Sequence, residues 1–313
     1  MTAYIVRRLL ATIPVMVVVA MFVFLLLNLT PGDPAAVIAG DDASPAEIEG
    51  VRRKLGLDRP LWEQFVIYAW NLARGDLGTS IFSNLPVLTL VKQRLEPSVV
   101  LAISTLTVAI LLAVPMGVLA AWKQRSWIDR TVMGISVLGF AMPVFMIGYL
   151  LIYVFSIELR WLPVQGYRPL AQGFEQTLRS IALPSIALGM VYMALIARIT
   201  RASMLDVLNE DYIRTARAKG VATAGVLLRH ALKNAAVPIV TVIGIGLTLL
   251  ISGVVITETV FNIPGLGRLT VDAVLKRDYP IIQGLIILFA GVKVLINLMI
   301  DISYTFLDPR IRY

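Results

Sequence analysis

The chain has 313 residues, 58% of them hydrophobic and only 15% charged, with a formal net charge of +8. A soluble domain is about a quarter charged, so these proportions exclude a soluble enzyme and require lipid to cover much of the surface. With no cysteine and one histidine, His230, disulfides, thiolate metal sites and multi-histidine clusters are excluded as well.

The positive charge lies mostly between apolar runs, the pattern of membrane topology rather than of a nucleic-acid patch. Six apolar runs are long enough to cross a bilayer or nearly so, about 9–29, 98–122, 134–156, 181–197, 237–257 and 281–302. A helix needs roughly 20 residues to span the hydrocarbon core. The fold class expected is therefore all-α, a polytopic membrane protein, with 1–313 forming a single transmembrane domain.

Arg7 and Arg8 precede the first run. That run is too long for a signal-peptide core and reads as a retained anchor with the N-terminus inside. Segment 30–97 then falls outside. Its Ser44-Pro45-Ala46-Glu47 predicts a capping box with proline at the first helical position, opening a helix that stops at Gly56. A second helix is predicted from about Pro60 to Arg74, with Leu61, Phe65, Tyr68 and Leu72 on one face and Gly75 ending it. This loop reads either as a small cap on the membrane domain or as a docking surface.

In the second run Ala109, Ala113, Gly117 and Ala121 recur every four residues, a stripe that reads as close helix packing in lipid. Lys123, Arg125 and Arg130 mark the next loop as inside. Pro184 and Gly189 interrupt the fourth run.

The inner loop 198–236 carries Arg198, Arg201, Arg214, Arg217, Lys219, Arg229 and Lys233. Asp211 is expected to cap a short helix running through Lys219, which Gly220 ends in a left-handed conformation. A further helix is expected from about Ala224 to Asn234, and Pro238 opens the fifth span. Such a basic helix-glycine-helix is either a solvated, lipid-hugging loop or a lever that fits a partner.

In the fifth run Thr241, Gly244, Thr248 and Ser252 form a mildly polar face, helix glue or the lining of a path. Ionisable residues inside spans point to function. Lys293 lies well inside one, while Glu258 and Asp301 lie near ends. Thr241, Thr248, Ser252, Glu258 and Lys293 are the pathway candidates. The two-terminus arithmetic of six spans puts Arg310-Ile311-Arg312-Tyr313 inside. No catalytic constellation is present: there is no H-E-x-x-H or G-x-S-x-G, and none of the seven lysines precedes Ser or Thr, so the chain lacks a phosphate-cradling loop.

Asp211-Tyr212-Ile213-Arg214-Thr215-Ala216-Arg217-Ala218-Lys219-Gly220, with Arg229-His230-Ala231-Leu232-Lys233-Asn234-Ala235 and Pro238, resembles the cytoplasmic signature of ABC-importer permeases of the dipeptide/oligopeptide/nickel branch. The general signature is Glu-Ala-Ala, three residues, Gly. Here Ala216 and Gly220 are kept, and Arg214 and Thr215 replace the first two positions, as is usual in the peptide branch. Arg7-Arg8-Leu9-Leu10, Pro31-Gly32-Asp33-Pro34-Ala35, Leu55-Gly56-Leu57-Asp58 with Pro60, Gly75-Asp76-Leu77-Gly78-Thr79-Ser80, Thr257-Glu258-Thr259-Val260-Phe261, Pro264-Gly265-Leu266-Gly267, Arg277-Asp278-Tyr279-Pro280 and Asp308-Pro309-Arg310 match the same branch in order. They resemble most the first permease of a dipeptide-type importer.

That resemblance implies the type I importer permease fold and a bacterial inner-membrane location. It implies a second homologous permease, two ATPase subunits that bind ATP and Mg, and an external solute-binding protein. No cofactor is expected in this chain. Asp211, Arg214, Thr215, Ala216, Arg217, Lys219 and Gly220 would form the coupling helix that rests in a groove of one ATPase. Dipeptides, longer peptides, glutathione, heme and nickel chelates all stay open as solutes. A stand-alone channel or secondary transporter is the alternative, disfavoured by the missing proton relay, and a membrane enzyme is a third.

Overall fold

The computed structural model describes residues 2–29, 33–40, 43–54 and 56–307. The side chains of Arg7 and Arg8, together with Pro31-Gly32, Leu55 and residues 308–313, lie outside the described residues. In chain order the helices are α1 (Thr2–Leu29), α2 (Pro34–Ala39), α3 (Pro45–Lys54), α4 (Leu61–Ala73), α5 (Val87–Trp122), α6 (Trp127–Ala141) and α7 (Val144–Leu151). They continue with α8 (Phe174–Leu208), α9 (Asp211–Ala218), α10 (Thr223–Gly225), α11 (Leu232–Asn234), α12 (Ala236–Val260), α13 (Leu266–Lys276) and α14 (Tyr279–Leu307). No named strand occurs among the described residues. The chain divides into two units, residues 1–94 with 269–295, and residues 95–268 with 296–313.

In the first unit the outer-loop expectations hold locally. Ser44 and Glu47 exchange backbone-to-side-chain hydrogen bonds at 2.8 and 3.4 Å, the reciprocal capping box. The Ser44 N–H and hydroxyl both donate to the Glu47 carboxylate, at 2.8 Å each, and hold it below its ordinary range. Asp33 caps α2 through Ala35 N at 3.1 Å and pairs with Arg52 at 2.6 Å. Gly56 and Gly75 stand at φ +68° and +79° after their helices, a region that glycine enters without steric penalty. The predicted inner face of α4 packs on α1, where Phe24 meets Phe65 and Tyr68 with ring centroids 5.4 and 5.8 Å apart. Buried Asp278 accepts the Ser80 hydroxyl at 2.6 Å, which ties two of the sequence motifs together across 198 residues.

The second unit is built around α8. Seventy-two per cent of its most apolar stretch is buried, against 22% for α5. Pro184 and Gly189 do not interrupt it. Gly189 faces α5, where an added Cβ would lie 3.4 Å from Val108, and the Ser185 and Ser104 hydroxyls share a hydrogen bond of 2.6 Å. The small-residue stripe on α5 is a packing surface. Ala109 and Ala113 are fully buried, and a Cβ on Gly117 would fall 2.6 Å from Thr200 Cβ and 2.7 Å from the Ala197 carbonyl.

Three boundaries differ from expectation. The run 134–156 is not one straight span: α6 and the helix from Val144 meet at 106°. Pro143 disfavours a helical residue before it, and Met142 is extended at φ −86°, ψ 131°. The helix beyond Pro143 ends in a π turn, Ile152–Glu158. Helix α5 begins at Val87, within the segment 30–97, with Pro97 inside it. Helix α8 continues to Leu208, within the segment 198–236. Among the described residues four helices are long and apolar enough to cross a membrane, five with the bent pair, and α1 adds a shorter apolar run, Leu10–Leu25.

Candidate functional site: the loop between α8 and α12

The α8–α12 loop is all in the second unit. Glu210, not Asp211, takes the N-cap position of α9, at φ −69°, ψ 147°, without a side-chain capping bond. The expected cap at Asp211 is therefore displaced by one residue. Two adjacent acids compete for one turn, and the Glu210 carbonyl accepts from Ile213 N at 3.1 Å and Arg214 N at 3.4 Å. Asp211 occupies the first turn, where a carboxylate favours the positive end of the helix dipole. It also accepts from Arg214 at 3.2 Å.

The far end is closed as expected. Gly220 stands at φ +79°. Its N–H reaches the Arg217 carbonyl at 3.0 Å, and Val221 N–H reaches the Ala216 carbonyl at 3.2 Å. This pair of crossed bonds is the Schellman arrangement that satisfies the last carbonyls. The Thr215 hydroxyl donates to the Asp211 carbonyl at 3.0 Å, inside the helix.

The two faces of α9 are sharply different. Ile213 and Ala216 are its buried residues. Ile213 is completely buried among Val118 of α5, Met204 of α8, Leu227 and Ala231 of the following π turn, and Ile239 of α12. Asp211, Arg214, Thr215, Arg217, Lys219 and Gly220 are all exposed. The Tyr212 hydroxyl accepts from Asn234 at 2.8 Å, which braces the outer side of the turn. The expected second helix is present from Thr223 to Asn234, with a π turn at Val226–Ala231.

A brace that sequence reasoning missed lies nearby. The Arg201 guanidinium grips Asp129 with two hydrogen bonds of 2.5 and 2.8 Å, and Arg125 N–H adds a third at 2.9 Å. Asp129 is the only acid in 123–133, and that isolation among basic residues was the available signal.

Of the pathway candidates, Thr241, Thr248, Ser252 and Glu258 stand on α12 and Lys293 on α14. The Thr241 and Thr248 hydroxyls donate to carbonyls of their own helix at 2.8 and 3.3 Å, and Ser252 is exposed. Lys293 lies on an exposed flank of α14 in the first unit, near Val292 and Leu295. Glu258 is the clear departure from expectation, since it is completely buried rather than near water. It accepts from the Ser98 hydroxyl and, at 2.9 Å, from Arg268 N–H, while Ser98 accepts from Leu266 N–H at 2.7 Å. Added Cβ atoms at Gly265 and Gly267 would collide with this carboxylate. Glu258 thus holds the Pro264–Gly267 turn against α5 and α12. No group of three His, Asp or Glu residues able to hold a metal occurs among the described residues.

Helices long and apolar enough to cross a membrane, with one short helix that buries Ile213 and presents charge outward, define a polytopic membrane protein. The chain belongs to the family described as the binding-protein-dependent transport system inner membrane component, which it matches over residues 113–313, with the N-terminal companion family matching 1–88. It is a permease subunit of an ABC importer.

Relatives cover both chains completely. A protein of Sinorhizobium fredii described as a probable peptide ABC transporter permease is 53% identical over 313 residues. The glutathione transport system permease of Escherichia coli K12 is 46% identical over 314. The fold resembles a chain of the MetNI methionine ABC transporter in an inward-facing conformation, with TM-score 0.59 at 15% identity, covering 71% of this chain and 97% of that one.

Proposed function

We propose that this permease forms one half of an inner-membrane pathway for small peptides, glutathione-like peptides included, and that α9 is its coupling element. In this reading a second, homologous permease forms the other half. Two ATPase subunits bind ATP and Mg and hydrolyse the nucleotide, a solute-binding protein delivers the peptide, and this chain needs no cofactor. The α9 side and both termini are cytoplasmic.

The observation that carries this is the division of α9 into a buried anchor, Ile213 and Ala216, and an exposed basic face, Arg214, Arg217 and Lys219. Ile213 lies in one buried cluster with residues of α5, α8 and α12. Any displacement of α9 by an ATPase is therefore passed to three helices at once, because close-packed interiors transmit strain. The peptide assignment is supported by relatives described as peptide and glutathione permeases along the whole length.

The test is affinity purification of the tagged chain in mild detergent with mass spectrometry. A second permease and P-loop ATPases are expected to accompany it. Recovery of the chain alone, with crosslinking and in several detergents, would favour a stand-alone channel or transporter.

A further inference from the structure

The segment that joins the π turn at Ile152–Glu158 to α8 is a built structure. Trp161 N–H donates to the Phe155 carbonyl at 2.9 Å, and the Ser156 hydroxyl donates to the Pro163 carbonyl at 3.2 Å. Gly166 N–H reaches the Phe261 carbonyl at the end of α12, at 2.9 Å. Glu96 accepts from both the Tyr167 hydroxyl and Leu170 N–H, at 2.9 and 2.8 Å, and Arg168 N–H reaches the Ser180 hydroxyl at 3.2 Å. Six bonds to three helices and to its own turn fix the loop.

This loop frames an open cavity of about 810 Å³, within the range of small-molecule sites. Three arginines line it, Arg160, Arg168 and Arg179, together with Trp161, Gln165 and Tyr167, and no Asp or Glu is in the lining. Glu96 is engaged by the loop itself. Glu175 approaches only Arg179, at 3.9 Å, with both side chains largely exposed. Arg179 also donates to the Trp161 carbonyl at 3.1 Å, which makes it part of the wall. Arg160 and Arg168 have no carboxylate within ion-pair distance among the described residues. Guanidiniums that share one lining with no carboxylate in it are suited to bidentate recognition of a planar oxyanion. The cavity adjoins the start of α8, and α9 follows its other end, about 50 Å away along 35 residues.

We infer that the cavity framed by Arg160, Arg168 and Arg179 binds the free carboxylate of the peptide solute at the mouth of the pathway, on the side remote from α9. This rests on the peptide-permease reading, which it deepens by giving the chain its own contact with the solute. The aromatic walls Trp161 and Tyr167 bound the site, and Gln165 adds an uncharged donor.

The experiment uses the complete transporter in liposomes with its binding protein and compares ATP-dependent uptake of trialanine and of trialanine amide. The variants are Arg160→Gln with Arg168→Gln, and Arg160→Lys with Arg168→Lys. Both residues are exposed, so folding and assembly of the complex are expected to persist, checked by subunit recovery. The Gln pair should lose about tenfold in uptake efficiency for the acid, as expected for lost charge-assisted bonds, and less than about twofold for the amide. The Lys pair should recover part of the loss. Any preference of the binding protein itself is common to all three transporters and cancels in the ratio.

Equal losses for acid and amide would overturn the site. If such losses came with weaker capture of the binding protein, the face would be a protein dock. If they vanished in purely zwitterionic lipid, the arginines would serve the net negative charge of anionic lipid headgroups. A wild-type complex that imports neither peptide fails the peptide reading itself, before any variant is compared.

Discussion

Gly220 has open space around it, since nothing lies within 4 Å of an added Cβ. Its requirement is conformational: φ +79° costs an L residue about 1–2 kcal/mol, and a branched side chain more. Gly220→Val is therefore expected to abolish most transport while leaving membrane insertion and complex assembly intact, measured by peptide uptake and by subunit recovery. Normal uptake would remove the coupling role. Gly220 was legible because a glycine closing a basic segment is a local signal. The exact cap was not, because Glu210 and Asp211 offer the same chemistry one residue apart. Glu258 could not be read at all from its position near a span end. Its burial depends on Gly265 and Gly267 letting the backbone approach, and glycine spacing does not name the carboxylate it serves.

Close packing of α5 on α8 makes a prediction with its own control. Gly117→Ala drives a methyl into the Thr200 side chain and the Ala197 carbonyl, and overpacking of this kind costs about 1–3 kcal/mol. Gly134→Ala on α6 meets nothing within 4 Å, and alanine raises helix propensity there. The first variant should melt at a lower temperature in detergent than the native chain and the second should not, by scanning fluorimetry. If both melted alike, the seam would not be close-packed. The small-residue stripe was readable because it repeats every four residues on one helix. The bend before Pro143 was not, since a long apolar run outweighed one proline. The continuity of α8 through Pro184 was hidden for the opposite reason: burial on all sides supports a helix that local propensity would break.

The natural absence of cysteine makes every introduced thiol a clean reporter of sidedness. Ala218→Cys on α9 and Gln165→Cys in the cavity loop are both at exposed positions, at opposite ends of α8. A membrane-impermeant maleimide should label Gln165→Cys from the outside of sealed cells and Ala218→Cys only after permeabilisation. Labelling of both from one side would reject the proposed topology. At this scale composition alone gave the helical membrane class, and ordered motifs gave the branch of the family. What joined those motifs was invisible in the sequence. The Ser80–Asp278 bond closes a separation of 198 residues, and no periodicity carries information over that distance.

The segregation of α9 into two anchoring positions and an outward remainder has a consequence for how such permeases diversify. Substitutions at Arg214, Arg217 and Lys219 leave the buried Ile213 untouched, so under the proposed coupling role the outward residues are free to change to suit a partner without unsettling the helices behind them. Ile213 answers instead to the buried cluster it shares with α5, α8 and α12. One short helix thus answers to two separate constraints, an inward one set by its own chain and an outward one that the proposed coupling role assigns to a partner.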